Sequence, residues 1–272
     1  MRVLVLVIAS FDKPVYYDML NVWKERCVND DCPFETDVWF VRSKPDSEWI
    51  GDIVNDILDP ELKDQYELDI LNKTIFVRGD ECLIPGILNK TVEAISYFLG
   101  ERSIQRSLRP ITLQNENTTK LIQNENTTKL IPHYDFIWRT NLSSVLDFRG
   151  LHAYISGVQS SVGFYGGYIG KASSYFFASG AGFLMSRDVA SDLVTNKHLL
   201  RWDLIDDVAI GALLEPRFGL VHIDRCWVDE NFSGCSDVFH FRCESYLHLR
   251  TVEFMNAVKG TKGSSLTPPK GT

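Results

Sequence analysis

An arginine, an amide and two hydroxyls arrive together at Arg139, Asn141, Ser143 and Ser144, directly after the apolar run Tyr134-Asp135-Phe136-Ile137-Trp138. That run has the composition of a buried strand. In an open α/β sheet, ligands lie beyond the carboxyl ends of the strands, where the chain changes direction. A guanidinium with small polar groups at such an edge suits an anionic, hydroxylated ligand of the nucleotide-sugar class. The same residues would also make an ordinary edge strand with a polar turn. Downstream, Asp206 and Asp207 stand ahead of the apolar run that ends at Leu214. Carboxylates are common caps of helix N-termini, and an adjacent pair beside a binding edge can instead supply a general base. Ser179, Gly180 and Gly182 lack bulk and permit close backbone approach to a ligand. Lys90 falls near the start of a helical pattern, where the helix dipole gives a cation no help. Either another partner or plain solvation accounts for it.

The elements that must position these groups follow from hydrophobic periodicity. Residues 2–9 are a β-branched and leucine run of the kind found in central parallel strands. Pro14 opens a helix to about Cys27, with Tyr16, Leu20, Trp23 and Cys27 at spacings of three and four. Residues 37–41 and 73–77 read as further strands, and residues 43–70 as an acidic surface crossing. Leu88, Val92, Ile95 and Phe98 define one face of a helix reaching about Leu99. Tyr154 to Val158 reads as a strand, and Gly163 to Gly170 as a loop able to face a planar or sugar ligand. Arg187 to Val194 begins a helix, residues 219–223 form a late strand, and a last helix ends near Lys259. Alternating strands and helices give an α/β fold with a mixed, mainly parallel sheet flanked by helices.

A chain of 272 residues with 44% apolar content can bury a sizeable core. Net charge −8 without a basic run argues against nucleic acid as a partner. The apolar start Val3 to Ile8 is too short to span a bilayer, and no other run is long enough to anchor the chain. The six cysteines lack metal-site or redox spacing. Without a signal peptide they are expected to be free thiols in a reducing compartment, which makes the chain cytoplasmic. Sequons occur at Asn72, Asn89, Asn117, Asn126, Asn141 and Asn231, and stay unused outside a secretory lumen. Residues 100–131 carry a perfect tandem repeat, QNENTTKLI twice, and read as an inserted, tolerant loop. Residues 1–259 make one domain, and 260–272 a flexible tail or a linker to further domains.

Four stretches, in order, resemble the GT-A glycosyltransferases, in particular the β-1,3-galactosyltransferase/fringe-like branch and the small glycosyltransferases of large algal DNA viruses. They are VLVLVIAS with the tryptophan-bearing helix after it, and Ile87-Leu88-Asn89-Lys90-Thr91, which is similar to "NLTLKT". Next is Phe136 to Ser143, placed where the family has a strand ending "KTDDD". The last is Ser179 to Asp188 followed by Asp206-Asp207-Val208-Ala209-Ile210-Gly211, similar to "GxGYVLSxD" and "EDVxxG". Each motif is short, and their order and spacing carry the resemblance over about residues 2–250. It implies a Rossmann-like single domain that moves a sugar, with inversion, from a nucleotide-sugar (a UDP-sugar in this branch) to a glycan acceptor. Asp207 or Asp206 would be the general base. Ser10, Lys90, Arg139, Asn141, Ser143, Ser179, Gly180 and Gly182 would hold the donor.

One departure is chemical. The family's aspartates hold a divalent metal on the diphosphate, and this chain has Asn141-Leu142-Ser143 there. Mn²⁺ and Mg²⁺ favour anionic oxygen ligands, which an amide and a hydroxyl do not supply. Either His240 helps as a metal ligand, as the resemblance implies, or Lys90 and Arg139 neutralise the diphosphate directly. Arg139 paired with a nearby carboxylate is the plainer outcome. A binding module without catalysis is the competing function. A nucleotidyltransferase is a third, weakened because Ser10-Phe11-Asp12-Lys13-Pro14 contains no glycine-rich loop.

Overall fold

In the computed structural model, residues 1–10, 14–28, 35–48, 66–100, 132–228 and 238–243 are described here. β1 (Val3–Ile8) is buried along its whole length. It sits between β2 (Thr36–Lys44) and β5 (Phe136–Asn141), parallel to both. β4 (Thr74–Arg78) continues the parallel run beyond β2, and β3 (Tyr66–Asp69) closes that edge antiparallel. On the other side β8 (Tyr175–Ser186) lies antiparallel to β5. It is followed by β7 (Tyr165–Ala172) and the short β9 (Val221–His222), giving an eight-stranded order β3-β4-β2-β1-β5-β8-β7-β9. The sheet is mixed, parallel through its β4-β2-β1-β5 centre, and helices cover both faces. The fold class read from the sequence is the one observed.

Strand alternation explains the two-sided core. Leu4, Leu6 and Ile8 pack with α2 (Gly86–Leu99), α4 (Arg187–Thr195) and α5 (Asp206–Phe218). Val3, Val5 and Val7 pack with α1 (Pro14–Val28) and α3 (Phe148–Gly157). Burying each such aliphatic side chain is worth roughly 1.5–3 kcal/mol, which fixes β1 as the central strand. A smaller sheet of β6 (Ser144–Leu146), β10 (Cys226–Val228) and β11 (His240–Cys243) stands beside the end of β5, in the order β10-β11-β6. α1 fastens the turn between β5 and β6: the Trp23 indole donates to the Leu142 carbonyl at 3.2 Å, and Arg26 donates to the Leu146 carbonyl at 3.0 Å.

Four expectations are corrected. Residues 154–157 are helical and Val158 is the extended residue that ends the helix, because Asp147 caps α3 by accepting from the Arg149 amide, and Phe148, Leu151 and Ile155 bury at helical spacing. The run from Gly163 to Gly170 is largely strand. A Cβ on Gly167 would lie 2.8 Å from the Ala178 Cβ, and one on Gly166 would lie 3.0 Å from the Val221 carbonyl, so neighbouring strands press directly on that backbone. The acidic crossing 43–70 contains the end of β2 and all of β3. Cys226 is disulfide-bonded, against the expectation of free thiols, while Cys27 and Cys82 keep their thiols. Disulfide pairing depends on spatial separation, which spacing along the chain does not report. The repeat at 114–131, the tail from 260, the last helix and the sequons at Asn117, Asn126 and Asn231 lie outside the described residues. Among the described residues, no helix is long and apolar enough to cross a membrane.

Candidate active site

The carboxyl edge of β1 and β5 gathers most of the residues singled out from the sequence. Ile8 is in register with Asn141, which puts Ser10 beside the turn that carries Ser143. Thr140 is in register with Gly182, so the Ser179–Gly182 segment of β8 runs past the same edge. α5 begins beneath that segment. Asp207 accepts from the Gly180 amide at 2.8 Å through Oδ2, and from the Val208 amide at 2.9 Å through Oδ1.

The two aspartates of the pair have different partners. Asp206 is buried and bound to Arg139, which is itself 2% exposed and also donates to the Gly180 carbonyl. Alternation along β5 sends Arg139 to the same face as Ile137, over the Phe183 ring and toward α5. Asp207 is half-buried. Burial and the neighbouring Asp206 charge hold its carboxyl above the ordinary range, against the pull of the Gly180 amide and Arg139. A carboxylate with raised proton affinity at a sheet edge is suited to accept a proton.

Lys90 is fully buried. Its Nζ donates to Glu81 at 2.6 Å and to the Ala9 carbonyl at 2.9 Å, and burial lowers its pKa. The partner that a lysine near a helix start calls for is therefore Glu81, which also accepts from the Ser43 amide. Lys90 and Arg139, the two cations expected to meet a diphosphate, each hold a carboxylate of this chain.

The small residues of β8 make room for protein groups. A Cβ on Gly182 would lie 2.5 Å from Trp138 Cζ2 and 2.7 Å from His240 Cε1, and one on Gly180 would lie 3.0 Å from an Arg139 nitrogen. Gly182→Ala is expected to destabilise the fold by about 1–3 kcal/mol through overpacking. Thermal unfolding of the variant checks it, and an unchanged midpoint would mean the strand shifts freely.

His240 is 1% exposed, with Nε2 3.2 Å from the Ala181 carbonyl. A carbonyl only accepts, so Nε2 carries the hydrogen. Burial and the charges of Arg225 and Arg242 push the ring pKa down to about 3, leaving the imidazole neutral. Among the described residues no group of three or more His, Cys, Asp or Glu side chains could hold a metal.

Two arginines at this edge escaped the sequence reading. Arg242 donates to the Asn141 amide oxygen and the Ser143 hydroxyl. Arg225 donates to the Ser179 hydroxyl at 2.9 Å and lies 4.3 Å from the ring centres of both Tyr168 and Trp227. Arg242 stands two residues after His240, which the sequence did single out, whereas nothing around Arg225 in the sequence pointed to the site. A depression of about 600 Å³ near Asp135, Arg187 and Asp188 lies at the opposite end of β5. Asp188 there accepts from the Gly163 amide and the Ser186 hydroxyl, so it serves the fold.

No protein family matches the chain by sequence, and no curated protein matches it. Among solved structures, an active-site mutant of LgtC aligns with a TM-score of 0.45 and 8% identity, over 94% of this chain and 96% of that one. The inositol-1-phosphate CTP transferase from T. maritima aligns with a TM-score of 0.45 and 14% identity, over 96% and 97%. At that level of similarity the site has to be read from its own residues.

Proposed function

We propose that the chain is a glycosyltransferase that moves a sugar from a nucleotide-sugar, of the UDP-sugar class, to a hydroxyl of a glycan acceptor with inversion. The observation that carries this reading is Asp207: a carboxylate with raised proton affinity, held by the Gly180 amide at the carboxyl edge of the sheet. In the proposed reaction Asp207 takes the proton of the acceptor hydroxyl as that oxygen bonds to the anomeric carbon. The bond to the diphosphate breaks on the opposite face, and the nucleoside diphosphate leaves with the electron pair. Asp206 holds Arg139 and raises the proton affinity of Asp207, which makes it a positioning residue rather than a second base.

Mn²⁺ or Mg²⁺ suits this edge poorly. The groups at the place of the family's aspartates are an amide and a hydroxyl already bound by Arg242, and His240 directs its N–H at a carbonyl. Hard dications need anionic oxygens there, so no step is routed through a metal. The missing acidic ligands also favour a second reading, a nucleotide-sugar or glycan-binding module without catalysis.

Calorimetry over a panel of nucleotide-sugars, with Mn²⁺ and with chelator, paired with assays of hydrolysis and transfer to glycan acceptors, separates the two. Binding with turnover is expected. Binding without hydrolysis or transfer would leave the module, and no binding at all would overturn both.

A further inference from the structure

Lys90 and Arg139, the cations expected from the sequence to meet the donor, each hold a carboxylate of the chain, and two further arginines reach the same edge. Arg225 has no carboxylate within ion-pair distance among the described residues. Its guanidinium is held by the Ser179 hydroxyl and by the faces of Tyr168 and Trp227. Aromatic faces orient a guanidinium and attract it, but they do not cancel its charge. Its Nε is buried without a hydrogen-bond partner. Arg242, in register with Ser144 across β6 and β11, reaches the Asn141-Leu142-Ser143 turn from the adjacent strand.

The two positive charges feel each other. Burial and Arg242 together bring the Arg225 pKa down to about 10. Like charges brought to one partly buried place cost free energy that a bound dianion returns. The chain carries 36 acidic against 28 basic residues, so its overall field does not favour anions and any attraction has to be local.

We propose that Arg225 and Arg242 form a diphosphate-binding site at the carboxyl edge of the sheet, with their guanidiniums in the role that a divalent cation has in the metal-dependent relatives. The site rests on the glycosyltransferase reading for its ligand, the diphosphate of a nucleotide-sugar. Ser179 links the parts: its hydroxyl accepts from Arg225, and the next residue's amide is bound by Asp207. The leaving diphosphate and the proton acceptor are thereby fixed from consecutive residues of β8. A guanidinium offers parallel N–H donors that match phosphate oxygens, which an ammonium does not.

The test is calorimetry of inorganic pyrophosphate and UDP against the full chain in chelator, for the parent and for Arg225→Gln, Arg242→Gln and Arg225→Lys, with thermal unfolding to confirm that each variant is folded. Metal-free binding is expected, weakened at least tenfold by either glutamine, recovered in part by lysine, and not strengthened by Mn²⁺. Binding only with Mn²⁺, no binding under either condition, or equal binding by folded glutamine variants would overturn the site. Arginine-dependent pyrophosphate binding without turnover of any nucleotide-sugar would keep the site and remove the transferase. Mn²⁺-dependent transfer indifferent to both arginines would do the reverse.

Discussion

Asp207→Asn is expected to cut sugar transfer by about 10²–10⁴-fold, the usual contribution of a positioned general base, while nucleotide-sugar binding persists. The amide keeps the shape of the side chain and an oxygen to accept from the Gly180 amide, but it cannot take the acceptor's proton. Stability should not follow. A carboxyl whose folded pKa is raised adds stability below its unfolded pKa and loses that contribution as pH rises through the folded value. Near neutral pH the ionised Asp207 therefore weighs against the fold, because it is desolvated and stands beside Asp206. Asparagine removes that burden but leaves the Val208 amide without its acceptor, so the two effects oppose each other and the unfolding midpoint should stay close to the parent's as activity collapses. A purely structural aspartate would give the opposite pairing, with activity and midpoint falling together. Transfer kinetics and a thermal melt on the same preparation decide between them, and unimpaired transfer would end the general-base assignment.

Most of the main sheet is legible in the sequence because its strands are apolar on both faces. Val3 to Ile8 and Phe136 to Trp138 leave periodicity little to arbitrate. Legibility fails where tertiary contacts override local composition. Gly166 and Gly167 look like loop residues, yet adjacent backbones require their smallness inside a strand. Tyr154 and Ile155 look β-forming, yet the Asp147 cap and the buried face of α3 make them helical. At the site, the sequence identifies residue types near the edge but not which charges cancel. That Lys90 meets Glu81 and Arg139 meets Asp206 depends on separations of 9 and 67 residues. Arg225 is recognisable only once Tyr168 and Ser179 stand beside it.

The second large effect concerns Asp206→Asn, which should damage the fold and shift the pH profile while sparing the chemistry at Asp207. Arg139 is 2% exposed and its Nε already lacks a partner, so removing the carboxylate leaves a nearly bare buried charge. Breaking such a pair costs about 3–5 kcal/mol, and at about 2–4 °C per kcal/mol for a domain somewhat smaller than this chain the midpoint should fall on the order of 10 °C. Replacing both partners, as Asp206→Leu with Arg139→Met, should recover much of that loss, since an apolar pair carries no desolvation penalty. The proton affinity of Asp207 responds to the same change twice. Loss of the Asp206 charge removes one cause of its raised pKa, and the uncompensated Arg139 charge lowers it further. The acid limb of the transfer profile, along which the base form of Asp207 accumulates, should therefore move to lower pH in Asp206→Asn. In the double variant the raising Asp206 charge and the weaker lowering pull of Arg139 are both gone, so the limb should lie below the parent's but above that of Asp206→Asn. An acid limb that stays in place in both variants would mean that a different group accepts the proton, and Asp207 would then be no more than the anchor of the Gly180 amide.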